Sequence, residues 1–187
     1  MDGFLLAFLL VLALASGGRD QRLVAQLADA SGRSIAPLAA ALCAAVVSAA
    51  AMAIVGAEFA ALLPGRARQM LVAFALGMAA VELAWPVRTA PLREPTRSLP
   101  ALFLVLLSRQ IGDGARFAVV ALACWSLAPV ATGLGGALGG AGAVTLGWSM
   151  GADTLARWPL RGVRLCLAAL MLVAALFIGL DARFAPV

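Results

Sequence analysis

The stretch Ser108-Arg109-Gln110-Ile111-Gly112-Asp113-Gly114-Ala115-Arg116 sits inside an apolar run from about Ala101 to Ser126. Three charged side chains interrupt a segment otherwise fit to cross a bilayer. A charge within a span costs several kcal/mol unless it is paired or hydrated, so its default reading is functional. Glycines beside it let the helix break, and broken helices at matching places in two repeats mark transporter sites. Gln110 and Asp113, spaced i and i+3, fall on one helical face. The plainer reading is a short loop between two half-spans, with its charges solvated or paired.

A counterpart lies 94 residues upstream, where Ser16-Gly17-Gly18-Arg19-Asp20-Gln21-Arg22 interrupts a run from Phe4 to Ala28. The same shift carries Leu10-Val11-Leu12 onto Leu104-Val105-Leu106, Gly18 onto Gly112 and Arg22 onto Arg116. A shift of 92 carries Pro37 onto Pro129, each at the head of the next apolar run. Phe4 to Ala15, ending in Ala13-Leu14-Ala15, has the form of a signal-peptide core. Its front carries Asp2 and no positive charge, and its repetition in the fourth run favours a span.

Four more apolar runs complete the chain: Pro37–Leu63, Gln69–Trp85, Leu127–Trp148 and Gly162–Leu180. Each is near the roughly 20 residues a helix needs to span a bilayer. The expected fold is therefore all-α, a polytopic membrane protein of about six transmembrane helices. They form two three-helix repeats, residues 1–87 and 100–187, joined by a proline- and arginine-rich linker at 88–99. Three spans is an odd number, so the second repeat runs through the membrane inverted.

Composition agrees. Of 187 residues, 64% are hydrophobic and 12% charged, against roughly 45–50% and 25% in ordinary globular domains. Too few polar groups remain to cover a soluble surface. All 14 basic residues are arginines, and there is no His, Lys or Tyr. Histidine-based nucleophilic catalysis and histidine metal ligation are thereby excluded, and no enzymatic activity is expected. Gly147-Trp148-Ser149-Met150-Gly151 fits the G-x-S-x-G nucleophile elbow but has no histidine to serve it. Gln110-Ile111-Gly112-Asp113 lacks the first glycine and the second aspartate of an intramembrane aspartyl protease.

The net charge of +5 comes from arginine clusters between apolar runs, with no basic face or aromatic platform for nucleic acid. Arg33, Arg88, Arg93, Arg97, Arg157, Arg161 and Arg164 fall on one side and Arg66, Arg68 and Arg183 on the other. By the positive-inside rule, both termini lie outside the cytoplasm, as in a multi-pass protein of a bacterial inner membrane. Cys43, Cys124 and Cys166 read as small hydrophobic packers. The glycines of the fifth run, with Gly135/Gly139 and Gly136/Gly140 in G-x-x-x-G spacing, read as close helix packing within the monomer, or else as a dimer face. Glu58 and Glu82, near the ends of their spans, are interfacial unless their helices bend toward the broken segments.

The two interruptions give the chain a resemblance to the Golgi manganese/calcium–proton antiporter family, which includes bacterial manganese exporters. That family has two inverted three-span halves, each with a Glu-x-Gly-Asp-(Lys/Arg)-(Thr/Ser) motif in its first helix. Gly112 and Asp113 match the motif, with Gln110 in place of its glutamate, Gly114 in place of its basic residue and Ala115 in place of Thr/Ser. In the first half Gly18 matches, with Ser16 for the glutamate and Arg19 for the aspartate.

The resemblance implies a secondary transporter exchanging Mn²⁺ or Ca²⁺ for protons, with no resident cofactor. The family's carboxylate ligands carry over only at Asp113, with Gln110 and Ser16 as neutral oxygen donors. Candidate site residues are thus Asp113, Gln110, Gly112, Ser16, Gly18, Arg19 and Asp20, and the metal would fall to Asp113 and Gln110. Arg19, Arg22, Arg109 and Arg116 outnumber Asp20 and Asp113, a surplus that opposes a divalent cation. Arg19 is expected to pair with Asp113 across the pseudo-twofold axis. Two alternatives follow from that surplus: a non-transporting paralogue that pairs with a full-motif homologue or with itself in the bilayer, and an exporter of an anion or small solute.

Overall fold

The computed structural model describes residues 2–87 and 98–184. Most of the expected linker, with Arg88, Arg93 and Arg97, lies outside them. The described residues form eight helices and no strand. Helices α1 (Asp2–Ala15) and α2 (Arg19–Ala30) meet at the first interruption, bent by 65°. Helices α3 (Ile35–Leu62) and α4 (Gly65–Ala84) complete the first half. The second half repeats the order: α5 (Leu99–Ile111) and α6 (Gly114–Ser126) meet at the second interruption, followed by α7 (Pro129–Arg157) and α8 (Leu160–Phe184). Four helices, α3, α4, α7 and α8, are each long and apolar enough to cross a membrane, and the bent pair α1–α2 together makes a fifth candidate.

Local chemistry explains the breaks. Gly17 adopts φ +73°, a left-handed conformation that side chains resist. A Cβ there would stand 2.9 Å from Leu160 Cβ. At the second break Gly112 closes α5 and Asp113 opens α6 in extended conformation, and the chain turns within two residues. Helix α7 is interrupted at Gly151, whose φ of +75° and ψ of 168° are non-helical, three residues past the expected end at Trp148, and a second short helical stretch follows to Arg157. Asp29, from α2, accepts the Ala152 N–H at 2.7 Å and so caps the turn that follows the kink.

Packing crosses between the halves. Helices α1 and α2 lie on α7, α5 and α6 lie on α3, α3 lies on α7, and α4 lies on α8 and α6. Small residues make this possible. Ala41, Ala44, Ala45 and Ala49 of α3 are fully buried. The two glycine pairs of α7 serve different neighbours: Gly135 and Gly139 seat the α1 backbone at Phe4 and Phe8, while Gly136 and Gly140 face Val119 and Arg116 of α6. The G-x-x-x-G spacings thus act within the chain.

The outward surface carries Leu9, Ile54, Phe74, Leu104, Leu138, Leu170 and Phe177, all exposed. An apolar belt of this extent suits lipid, and the chain is a helical membrane protein. Cys124 is a buried packer as expected, but Cys43 and Cys166 are exposed on this outer surface. Each lies on the outward side of a helix whose other side is held by the bundle.

Candidate functional site

At the second break, Gln110 lies in the last turn of α5 and Arg116 in the first turn of α6, both buried. The Arg116 guanidinium is enclosed by acceptors. Nε donates to Ser48 Oγ at 2.8 Å, and Nη2 donates to Gln110 Oε1 at 3.2 Å and to the Ala45 carbonyl at 3.3 Å. Nη1 donates to the Gly136 carbonyl at 3.3 Å, and Ser48 Oγ donates to Gln110 Oε1 at 2.9 Å. A buried charge is tolerable only with such compensation. Gly140 leaves the room, since a Cβ there would come 2.7 Å from Arg116 Nη2.

The first break is held differently. Gln21 Oε1 accepts the Gly17 N–H at 2.6 Å, and Gln21 Nε2 donates to the Ala143 carbonyl of α7 at 2.9 Å. Ser16 Oγ donates to the Leu12 carbonyl of its own helix at 2.7 Å, and Gly18 caps α2. Neither reaches the centre.

Arg19 does not pair with Asp113. Its guanidinium meets Glu82 at 3.5 Å and donates to the Gly112 carbonyl at 3.3 Å. The long side chain, 42% exposed, reaches the negative end of α5 and a carboxylate on α4, both favourable for a cation. Glu82 also meets Arg164 at 3.3 Å and accepts the Gly114 N–H at 3.3 Å. Helix α4 therefore does bring Glu82 to the breaks, whereas Glu58 remains exposed. Arg164, counted as a loop charge in the sequence, is 1% exposed inside the bundle, where its Nε and Nη1 have no partner.

Between the two breaks and α7 lies a cavity of about 10 Å³, walled by Asp20, Gln21, Gln110, Asp113 and Arg116 with Ala15, Gly140, Ala143 and Val144. Asp20 is 8% exposed, and its Oδ1 accepts no hydrogen bond. Of the candidate site residues, Asp20, Gln110 and Asp113 line this cavity, while Ser16, Gly18, Arg19 and Gly112 only shape its surroundings. Ser48, Gln21, Glu82 and Arg164 complete the centre. Ser48 was discoverable as the lone hydroxyl in the alanine-rich run 44–53, and Arg164 as a charge two residues inside the sixth apolar run.

The positive surplus inferred from sequence does not describe this wall, which carries two carboxylates to one guanidinium. Arg22 lines a separate hollow with Gln26, Asp153 and Trp158. Arg109 is exposed and acts on Asp20 only through space. Among the described residues no three His, Cys, Asp or Glu side chains come together as a metal-binding group. Comparisons with protein-family models, with curated proteins and with solved structures find no match for this chain.

Proposed function

We propose that the chain is a secondary membrane transporter of the cation–proton exchange kind, built as two inverted halves of three spans. In this reading α1–α2 and α5–α6 are broken spans, and α3, α4, α7 and α8 are continuous ones. Both termini lie outside the cytoplasm of a bacterial inner membrane. One observation carries it: the two breaks, far apart in sequence, converge on a single carboxylate-lined cavity at the interface between the halves. Helix breaks at a repeat interface supply the half-helix ends that bind ions in transporters of this architecture. The family resemblance adds Mn²⁺ and Ca²⁺ as candidate cargo.

Flux into proteoliposomes tests the proposal, with Mn²⁺, Ca²⁺ and Na⁺ each driven against an internal pH dye. Cation-dependent proton movement that falls at least tenfold in Asp20→Asn and Asp113→Asn is the expected result. Wild-type vesicles that match empty ones for every ion would sink it.

A second reading, a non-transporting partner subunit, draws on Arg116, a fixed cation bonded on every side beside the cavity. Its signature is silence in the flux assay together with co-purification of a second, full-motif membrane protein.

A further inference from the structure

The cavity at the two breaks has a size, a charge and a set of free oxygens, and together they select its occupant. Its volume of about 10 Å³ is close to the smallest that holds one water molecule. A hydrated ion or an organic solute does not fit, but one dehydrated ion does.

The charged groups on the wall are Asp20, Asp113 and Arg116, a net charge of minus one with both carboxylates ionised. In the outer ring Glu82 offsets the buried Arg164, and the remaining positive charge, on Arg19, is 42% exposed and screened by solvent. One monovalent cation neutralises the wall. A divalent cation would leave an excess positive charge in a low-dielectric interior, beside a guanidinium that cannot retreat.

Ligand supply is limited as well. Gln110 Oε1 is already taken by Ser48 and Arg116, and Gln21 Oε1 by the Gly17 N–H. Among the wall's side chains the oxygens left for a ligand are those of the two carboxylates, and Asp20 Oδ1 is buried without a partner. Calcium takes roughly six to eight oxygen ligands, more than this wall offers.

We infer that the cavity binds a single dehydrated monovalent cation of sodium size, held by Asp20 and Asp113, and that Arg116 is the fixed charge that rejects divalent ions. This assignment rests on the transporter reading only for the purpose of the site, since binding is measurable without transport.

The test is equilibrium binding of ²²Na⁺ to the purified full-length chain in nanodiscs, with MnCl₂ and CaCl₂ as competitors. Saturable binding of about one ion per chain is expected, weakened at least tenfold in Asp20→Asn and Asp113→Asn. Neither divalent ion should displace ²²Na⁺ at equal concentration. Because an Asn variant can lose binding by misfolding, Arg116→Gln supplies a gain of function. With the guanidinium removed, the wall carries two negative charges, and Ca²⁺ or Mn²⁺ should then displace ²²Na⁺ at least tenfold more effectively than in the wild type.

Absence of saturable ²²Na⁺ binding, or displacement by Mn²⁺ or Ca²⁺ at lower concentration than Na⁺ itself, overturns the assignment. So does an Arg116→Gln variant that binds but keeps wild-type selectivity. Divalent flux without sodium binding overturns the site while leaving the transporter reading intact; sodium binding without any flux does the reverse.

Discussion

Glu82 joins two arginines that differ sharply in their surroundings, and so in what its removal would do to each. Arg164 is enclosed, with two nitrogens already lacking partners, and among the described residues Glu82 is the carboxylate that pairs with it. Breaking a buried pair leaves an uncompensated charge at a cost of about 3–5 kcal/mol. Arg19 is 42% exposed, and pairs of that kind contribute roughly 0–1 kcal/mol. Glu82→Ala should therefore lower the thermal unfolding midpoint in detergent markedly, and Arg19→Ala should leave it within a few degrees. Equal effects of the two variants would contradict this division. At this scale the sequence was least readable. It marks Arg19, Asp20, Gln110 and Asp113 as notable, but which cation meets which anion depends on helix ends that only the folded chain brings together. Arg19 and Asp113 looked like partners because they occupy equivalent repeat positions, yet a flexible guanidinium follows the nearest negative potential, here Glu82 and the end of α5.

The helices themselves were largely legible. Apolar length alone located α3, α4 and α8, and the embedded charges and glycines located both breaks. What length cannot tell is that a second helical stretch resumes after a break, as in α7 beyond Gly151, or which neighbour each glycine seats. Gly139 and Gly77 illustrate the difference. A Cβ on Gly139 would sit 2.5 Å from the Phe8 carbonyl oxygen, whereas one on Gly77 meets nothing within 4 Å. Forcing backbones apart costs about 1–3 kcal/mol, while alanine in place of an unhindered helical glycine gains up to about 1 kcal/mol. Gly139→Ala should thus destabilise the protein and Gly77→Ala leave it unchanged or better, as read by thermal unfolding of the two variants side by side.

Over the whole molecule, membrane character and all-helical class were readable from composition, because the same shortage of polar residues that excludes a soluble surface leaves an apolar exterior. The charge balance at the centre was not, because the sequence count weighted every arginine near a break alike. Folding sorts them: Arg116 goes into the wall, Arg19 to Glu82, and Arg22 and Arg109 away, while Arg164, a loop charge by sequence, joins Glu82. The wall itself is left with two carboxylates to one guanidinium.

The crossed fastening of the two breaks has a consequence for assembly. Gln21 anchors the first break to α7 through Ala143, and Arg116 anchors the second to α3 through Ser48 and Ala45. Each half thus stabilises the other's weakest point, and of the helix pairs in extensive contact only α2–α3 and α6–α7 lie within one half. With this packing the two halves should behave as obligate subunits that share one polypeptide. Severed within 88–97 and co-expressed, the fragments should reassemble into a complex that co-purifies through a tag on either piece. Expressed singly, each should be degraded, and a fragment that accumulates alone as a monodisperse species would show the interlock to be dispensable.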